Sequence, residues 1–302
     1  MQITGIGINA QPDLVGGEVE RLEENLAYFQ TIGNDYVEIP VDILDVIYHG
    51  RLHQRRMADL KALLQSFNLK YTVHAPRVLD LRDAKDIEIQ KKLFEVCIIF
   101  TAEIGAQVFV YHYGRRTEEE FLEEMLYRNM LEMAALAAEK GVQICVENIE
   151  IDTVAHVVEF VERVERESVG MTFDFGHAYL AARRFDFDFL ESIKQARPYI
   201  RHIHVSDNFG LYEETRLLSY ERYKMIPYAS RFLLGRGDLH LPPGWGEIPL
   251  DAAFRLLEDY KGIFMLEYYF QRYRPYSQEI LEGARQYVKR YATALKTQAR
   301  VH

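Results

Sequence analysis

The chain is poor in the features that mark specialised classes of protein. It has two cysteines, Cys97 and Cys145, too few for a disulfide framework. One falls in a helical pattern and the other in an apolar strand pattern, so both are expected to be reduced core residues. Its 18 glycines and 9 prolines show no period and no low-complexity run, which excludes collagen-like and disordered readings. The most apolar windows, such as Val96 to Phe100, are far too short to span a bilayer, and no membrane role is expected. The sequence opens directly into Ile3-Thr4-Gly5-Ile6-Gly7-Ile8, without the basic, apolar and small-residue regions of a signal peptide, and is read as cytoplasmic. Positive charge is in deficit, with 36 Lys and Arg against 46 Asp and Glu and a net charge of −10. That argues against a phosphate-backbone partner, which needs clustered cations. The densest basic stretch, Arg51, His53, Arg55 and Arg56, reads as the solvated start of a helix.

What is present is an ordinary globular composition, 48% hydrophobic and 27% charged over 302 residues, enough to bury a large core. Short β-branched or aromatic runs alternate with longer amphipathic segments from end to end, the pattern of parallel βαβ units. Eight strands are expected at Ile3–Ile8, Tyr36–Ile39, Tyr71–His74, Val108–His112, Gln143–Glu147, Gly170–Asp174, Arg201–Val205 and Ile263–Glu267. Helical patterns between them include Glu18–Thr31, Glu118–Glu139, Thr153–Glu165 and Leu250–Tyr260, and Gln278–Leu295 closes the series. Gly33 and Gly141 follow helices where a left-handed residue is wanted, and Asp152 or Thr153 can cap a helix start. Eight units without a break in composition favour an α/β fold of one domain over residues 1–302, a single (β/α)8 TIM barrel. The one irregular connection, about 206–249, is long enough to be a functional loop or lid. It holds the only tryptophan, Trp245.

In such a barrel the C-terminal strand ends build the active face. Here strand three ends in His74, four in His112, five in Glu147, six in Asp174, seven in His204 and eight in Glu267. A lone histidine there is usually structural, but six consecutive metal-competent ends are not a lone histidine. Gathering carboxylates in a barrel mouth without a cation costs several kcal/mol for each unpaired charge. A divalent ion is the simplest compensation, and imidazole with carboxylate suits Zn, Mn, Fe or Co. Just beyond strand ends, Asp174 and His177 can turn into one pocket, and Asp238 and His240 share a face if their segment is extended. His49, His53, His156 and His302 fall in helical or terminal segments and are expected to be solvated. His202 points the same way as His204 one layer deeper and is expected to be core.

The ordered set Val73-His74-Ala75-Pro76, Val146-Glu147-Asn148, Phe173-Asp174-Phe175-Gly176-His177, His204-Val205-Ser206-Asp207-Asn208, the run Asp238 to Ile248 and Leu266-Glu267 resembles a known superfamily. It unites xylose-isomerase-like sugar isomerases and epimerases with the class II apurinic endonucleases, and the likeness covers nearly the whole chain. The resemblance implies a four-residue metal site of Glu147, Asp174, His204 and Glu267. It implies a second position at His74 and His112 with Glu147 bridging, and a third at His177, Asp238 and His240, for one to three ions, Zn or Mn foremost. It also implies Glu147 and Glu267 as the acid and base that exchange a proton on opposite faces of an enediolate.

The primary expectation is therefore a metal-dependent sugar or sugar-phosphate isomerase or epimerase. The alternatives are an endonuclease of the trinuclear zinc type acting on abasic DNA, a dehydratase on a polyol or keto acid, and a non-catalytic metal-binding barrel. Leu241-Pro242-Pro243-Gly244-Trp245-Gly246-Glu247-Ile248 looks more like the sugar-enzyme branch. Neither a basic stripe nor an intercalating wedge for DNA emerges. Tyr111, Tyr113, Tyr179, Phe209, Trp245, Tyr268 and Tyr269 are expected near the mouth, about half of them as packing. The partner expected is a small sugar or sugar phosphate, and a homo-oligomer is compatible with the sequence.

Overall fold

In the computed structural model, which describes residues 1–10 and 19–298, eight parallel strands close into a barrel. They are β1 (Gln2–Asn9), β2 (Tyr36–Pro40), β3 (Lys70–His74), β4 (Val108–His112), β5 (Gln143–Glu147), β6 (Val169–Asp174), β7 (Ile200–Val205) and β8 (Lys261–Leu266). Each pairs with its sequence neighbour, and β1 pairs with β8, so no strand edge is left open. A two-strand hairpin, Ile47–Tyr48 with Arg51–Leu52, precedes helix α2.

The helices follow the apolar periodicity. They are α1 (Val19–Ile32), α2 (Gln54–Gln65), α3 (Ile87–Glu103), α4 (Glu120–Lys140), α5 (Val154–Val164), α6 (Phe175–Phe185) and α7 (Phe189–Ala196). In α5 the buried residues Val154, Val157, Phe160, Val161 and Val164 recur every three or four positions and cover the strands beneath. Burying each such side chain stabilises by roughly 1.5–3 kcal/mol. Gly141 ends α4 in the left-handed region at φ 67, as expected for a helix stop. Glu18, the expected start of α1, and His302 lie outside the described residues.

Between β7 and β8 the chain is not a bare loop. It carries α8 (Thr215–Leu218), α9 (Tyr220–Met225) and α10 (Tyr228–Leu234) before α11 (Leu250–Leu256). Asp207 and Leu241 exchange two backbone hydrogen bonds of 2.9 Å as an antiparallel bridge. Residues 208–240 therefore leave and re-enter the barrel rim at one point, as a lid does. The pattern read as a helix to Tyr260 stops at Leu256. After β8 come α12 (Phe270–Tyr273) and the long α13 (Ser277–Gln298). Phe254 of α11 packs against Phe175, Phe264, Tyr287 and Tyr291, tying α6, β8 and α13 together. No helix among the described residues is long and apolar enough to cross a membrane. Cys97 and Cys145 are free and buried.

Candidate metal centre and active site

Local structure presents each strand-end side chain. Asp174 ends β6 and caps α6, its Oδ1 accepting from the His177 backbone N–H at 2.6 Å. That turns Oδ2 towards the barrel axis and starts the helix that carries His177. Asn148 fixes the same corner, accepting from the Asp174 N–H and donating to its carbonyl, each at 3.0 Å. Gly176 is required there, since a Cβ would stand 2.4 Å from Ser206 Oγ. Asp207 is an organiser of turns: its carboxylate accepts backbone N–H groups of Asn208, Gly244 and Ile248. That seats the Pro-Pro-Gly-Trp-Gly turn. A Cβ at Gly246 would lie 2.4 Å from the Asn208 carbonyl oxygen and from Asp207 Oδ1.

At the centre stands His204, fully buried. Its Nδ1 lies 2.8 Å from Glu147 Oε1, 2.9 Å from Glu267 Oε2 and 3.9 Å from Asp174 Oδ2. A single Nδ1–H serves one acceptor, Glu147, so Glu267 Oε2 and Asp174 Oδ2 are left buried without a hydrogen-bond partner. Glu147 Oε2 faces the other way, 3.2 Å from His74 Nε2 and 3.1 Å from His112 Nε2. Glu147 thus stands between two groups of donors. His74 Nδ1 is 2.9 Å from the Ala75 carbonyl oxygen, to which its N–H donates, leaving Nε2 for the cluster. His177, Asp238 and His240 form a third group, with His240 Nε2 2.7 Å from Asp238 Oδ2. His240 Nδ1 donates to the Glu267 carbonyl at 2.7 Å. The residue is held at φ +42, a conformation that costs a non-glycine residue on the order of 1 kcal/mol or more. All nine expected residues therefore gather in these three groups.

The electrostatics expose the same tension. Burial raises the Asp174 carboxyl to about 8, and Glu267 and Glu147 push it the same way. Burial also opposes ionisation of Glu147, yet His204 and His112 hold it well below the usual range. His204 is the converse: burial disfavours its charge, while Glu267, Glu38 and Glu147 draw it well above an ordinary imidazole. Burial likewise opposes charge on His74, but Glu147 brings it to about 9. Protein groups alone thus leave the Asp174 carboxyl resisting ionisation and two buried oxygens, Asp174 Oδ2 and Glu267 Oε2, without a partner. Donors around an ion with bonds of about 2.1 Å stand roughly 3–3.5 Å apart, close to the separations found here. Imidazole with carboxylates is a donor set suited to a divalent transition metal, and the residues fit one.

Several contributors escaped sequence reading. Glu38, fully buried on β2, lies 2.9 Å from His204 Nε2 and 3.3 Å from His202 Nε2. Asn9 and Thr72 donate to its two oxygens at 2.9 and 3.0 Å. It backs the histidine that faces the cluster, and the available signal was a carboxylate between Val37 and Ile39 on an inward strand position. His202 is core, as expected, with no exposure. Glu150, just past β5, holds Arg216 Nε at 2.6 Å and lies 3.1 Å from His177 Nδ1. Of the solvated histidines, His53 caps α2, His49 sits in the hairpin turn, and His156 is tied to Asp152 Oδ1 at 2.7 Å. Asp152 also accepts from the Thr153 N–H.

The three groups open into a cavity of about 620 Å³ lined by His74, His112, His177, Asp238, His240 and Glu267, with Tyr113 and Tyr269 among the aromatics. Tyr111 and Tyr268 are core residues. The remaining aromatic wall comes from the lid, as Tyr220, Tyr223 and Tyr228.

A family model described as xylose isomerase-like TIM barrel matches residues 26–291. Among curated proteins, MJ1311 of Methanocaldococcus jannaschii, itself uncharacterized, is 27% identical over 57% of this chain and 64% of its own length. An inosose dehydratase of Klebsiella pneumoniae is 29% identical over 45% of this chain and 44% of its own. The chain thus spans less than two thirds of either relative. The crystal structure of a D-tagatose 3-epimerase-like protein superposes with a TM-score of 0.69 at 20% identity, covering 97% of this chain and all of that one.

Proposed function

Because this chain belongs to the xylose isomerase-like TIM barrel family, we propose that it is a divalent-metal-dependent enzyme moving a proton on the carbon beside a carbonyl of a polyhydroxy substrate. The reaction is an isomerisation or epimerisation. The observation that carries this reading is the convergence of Glu147, Asp174 and Glu267 on His204 Nδ1 beside a cavity of about 620 Å³. We assign Glu147, Asp174, His204 and Glu267 to the first ion. His74 and His112 with Glu147, and His177, Asp238 and His240, have the donors for further ions.

A bound divalent ion supplies positive charge against the substrate's carbonyl and adjacent hydroxyl oxygens. Glu147 and Glu267 come from β5 and from the end of β8, on different sides of His204. One carboxylate accepts the carbon-bound proton as the carbonyl becomes an enediolate, and the other, first protonated from solvent, delivers its proton to the opposite face; exchange with solvent then returns both to their starting states. Glu38 holds His204 from behind, and the lid and Tyr269 keep water from the reacting carbon. The basic residues of the rim are largely spent on acids: Arg82 on Glu123, Arg116 on Glu159, Arg184 on Glu214 and Arg216 on Glu150. This favours a small substrate over duplex DNA. The likeness to an inosose dehydratase supports a second reading, loss of a β-hydroxyl as water from the same enediolate.

The test is deuterium exchange. Metal-loaded protein is incubated in heavy water with a panel of ketoses, aldoses and inososes, beside a duplex carrying one abasic site. Solvent deuterium at the carbon next to the carbonyl, lost in Glu267→Gln, is the expected result. Chelator-sensitive cleavage of the duplex without exchange on any sugar overturns the reading. Water loss without epimerisation selects the dehydratase.

A further inference from the structure

We propose that Arg231 of the lid forms an anion subsite, so that the polyhydroxy substrate carries a carboxylate or phosphate ester; this rests on the reading of the cavity as a substrate site given above. Four cations line the cavity, Arg77, Arg216, Lys224 and Arg231. Arg216 is neutralised by Glu150, and Lys224 meets Glu221 at 2.8 Å. Arg77 is exposed on the rim.

Arg231 is different. It is half-buried and has no carboxylate within ion-pair distance among the described residues, although the chain carries ten more acidic than basic residues. Its Nη1 donates to Tyr223 Oη at 2.6 Å, while its Nε is buried without any acceptor. The guanidinium lies 4.8 Å from the Tyr223 ring centre and 4.6 Å from that of Tyr228. A buried donor on a charged group that meets no acceptor carries an uncompensated desolvation cost, so such a group marks where an acceptor is to arrive. The planar fork suits two oxygens of one anion, and the flanking rings hold its orientation before a ligand enters. Tyr228 packs in turn against Tyr269, ring centres 4.4 Å apart and tilted by 51°, and Tyr269 lies 5.9 Å from His240. The subsite is therefore joined by a wall of rings to the His177–Asp238–His240 side of the site. The substrate's charged end would lie towards the lid and its carbonyl towards Glu147 and Glu267.

The test uses calorimetric titration of the metal-loaded protein with inorganic phosphate and two matched pairs, D-ribulose with D-ribulose 5-phosphate and xylitol with D-xylonate. At least one anionic member is expected to bind roughly tenfold or more tightly than its neutral partner, less so at high salt. Arg231→Met should shrink that preference to about twofold or less with metal content and neutral-ligand binding unchanged, and Arg231→Lys should restore part of it. The pair that responds says whether the anion is a phosphate ester or a carboxylate. Equal affinities within both pairs, no binding by any probe, or a preference that survives in Arg231→Met overturns the proposal. The readout is binding, so anion preference without proton exchange would remove the proposed reaction and leave this subsite standing. Exchange on neutral sugars without anion preference would do the reverse.

Discussion

The floor and the lid of the cavity are built on opposite terms. On the floor, Glu38, Glu147, Asp174 and His204 are almost entirely buried, and Glu38, Glu147 and His204 each meet groups from several strands. On the lid, α8 to α10 expose Leu218, Met225, Leu233 and Leu234 to solvent and meet the barrel mouth through aromatic rings and the Arg216–Glu150 ion pair. Chemistry that depends on donors about 3 Å apart is placed where closed strand pairing fixes positions. Recognition of a particular ligand is placed on α8 to α10, which can vary without disturbing the four-residue group at His204.

The floor is most vulnerable at Glu147, whose two oxygens serve different groups. Glu147→Gln is expected to lower turnover by about three orders of magnitude, or about 4 kcal/mol, and to reduce the metal retained after dialysis. Near-normal turnover with full metal content would end the assignment. Glu38→Gln attacks the floor one layer deeper, out of reach of substrate. Metal affinity should fall roughly 10–100-fold while the change in binding of a neutral polyol to metal-saturated protein stays small. An unchanged metal affinity would reduce Glu38 to packing.

Gly246→Ala tests the lid seat alone, because the added Cβ collides with the backbone at Asn208. An increase in KM of roughly tenfold is expected, with the far-ultraviolet spectrum unchanged and metal content intact. Loss of metal would show that floor and lid are not separable. The smallest effect is expected at the rim, where Arg82 grips Glu123 through two bonds of 2.9 and 3.0 Å. Although burial opposes it, Arg82 holds the Glu123 carboxyl below its ordinary value of 4.5. The folded state therefore binds this proton less readily than the unfolded chain, and the pair's contribution is present above about pH 4.5 and lost as pH falls through the lowered value. Glu123→Gln should cost about 1–3 kcal/mol at pH 7, and the gap in melting temperature from the parent should narrow below pH 4.5. A gap that does not change with pH would assign the effect to packing.

Much of this was legible in one dimension. The eight strands fall within two residues of their expected bounds because each is a short apolar run between helical periods. The nine strand-end and loop residues were legible because a polar side chain at the end of such a run stands out. Glu38 did not stand out in the same way, since it lies within a strand and its partners His202 and His204 come more than 160 residues later. The aromatic wall was legible in part, at Tyr113 and Tyr269, and the rest was hidden for a similar reason. Tyr111 and Tyr268 flank ligand positions in sequence but point into the core, whereas Tyr223 and Tyr228 lie in a segment whose short helices have weak periodicity.

Local alternation of apolar and polar residues along the chain is enough to set the order of strands and helices and the chemical character of the barrel mouth. That Glu147 faces two groups, that Glu38 backs His204, and that half-buried Arg231 meets no acid among the described residues emerges only in the folded chain. Those facts depend on distances of about 3–4 Å between residues far apart in the chain, which closure of the barrel and the fold of the lid bring into being.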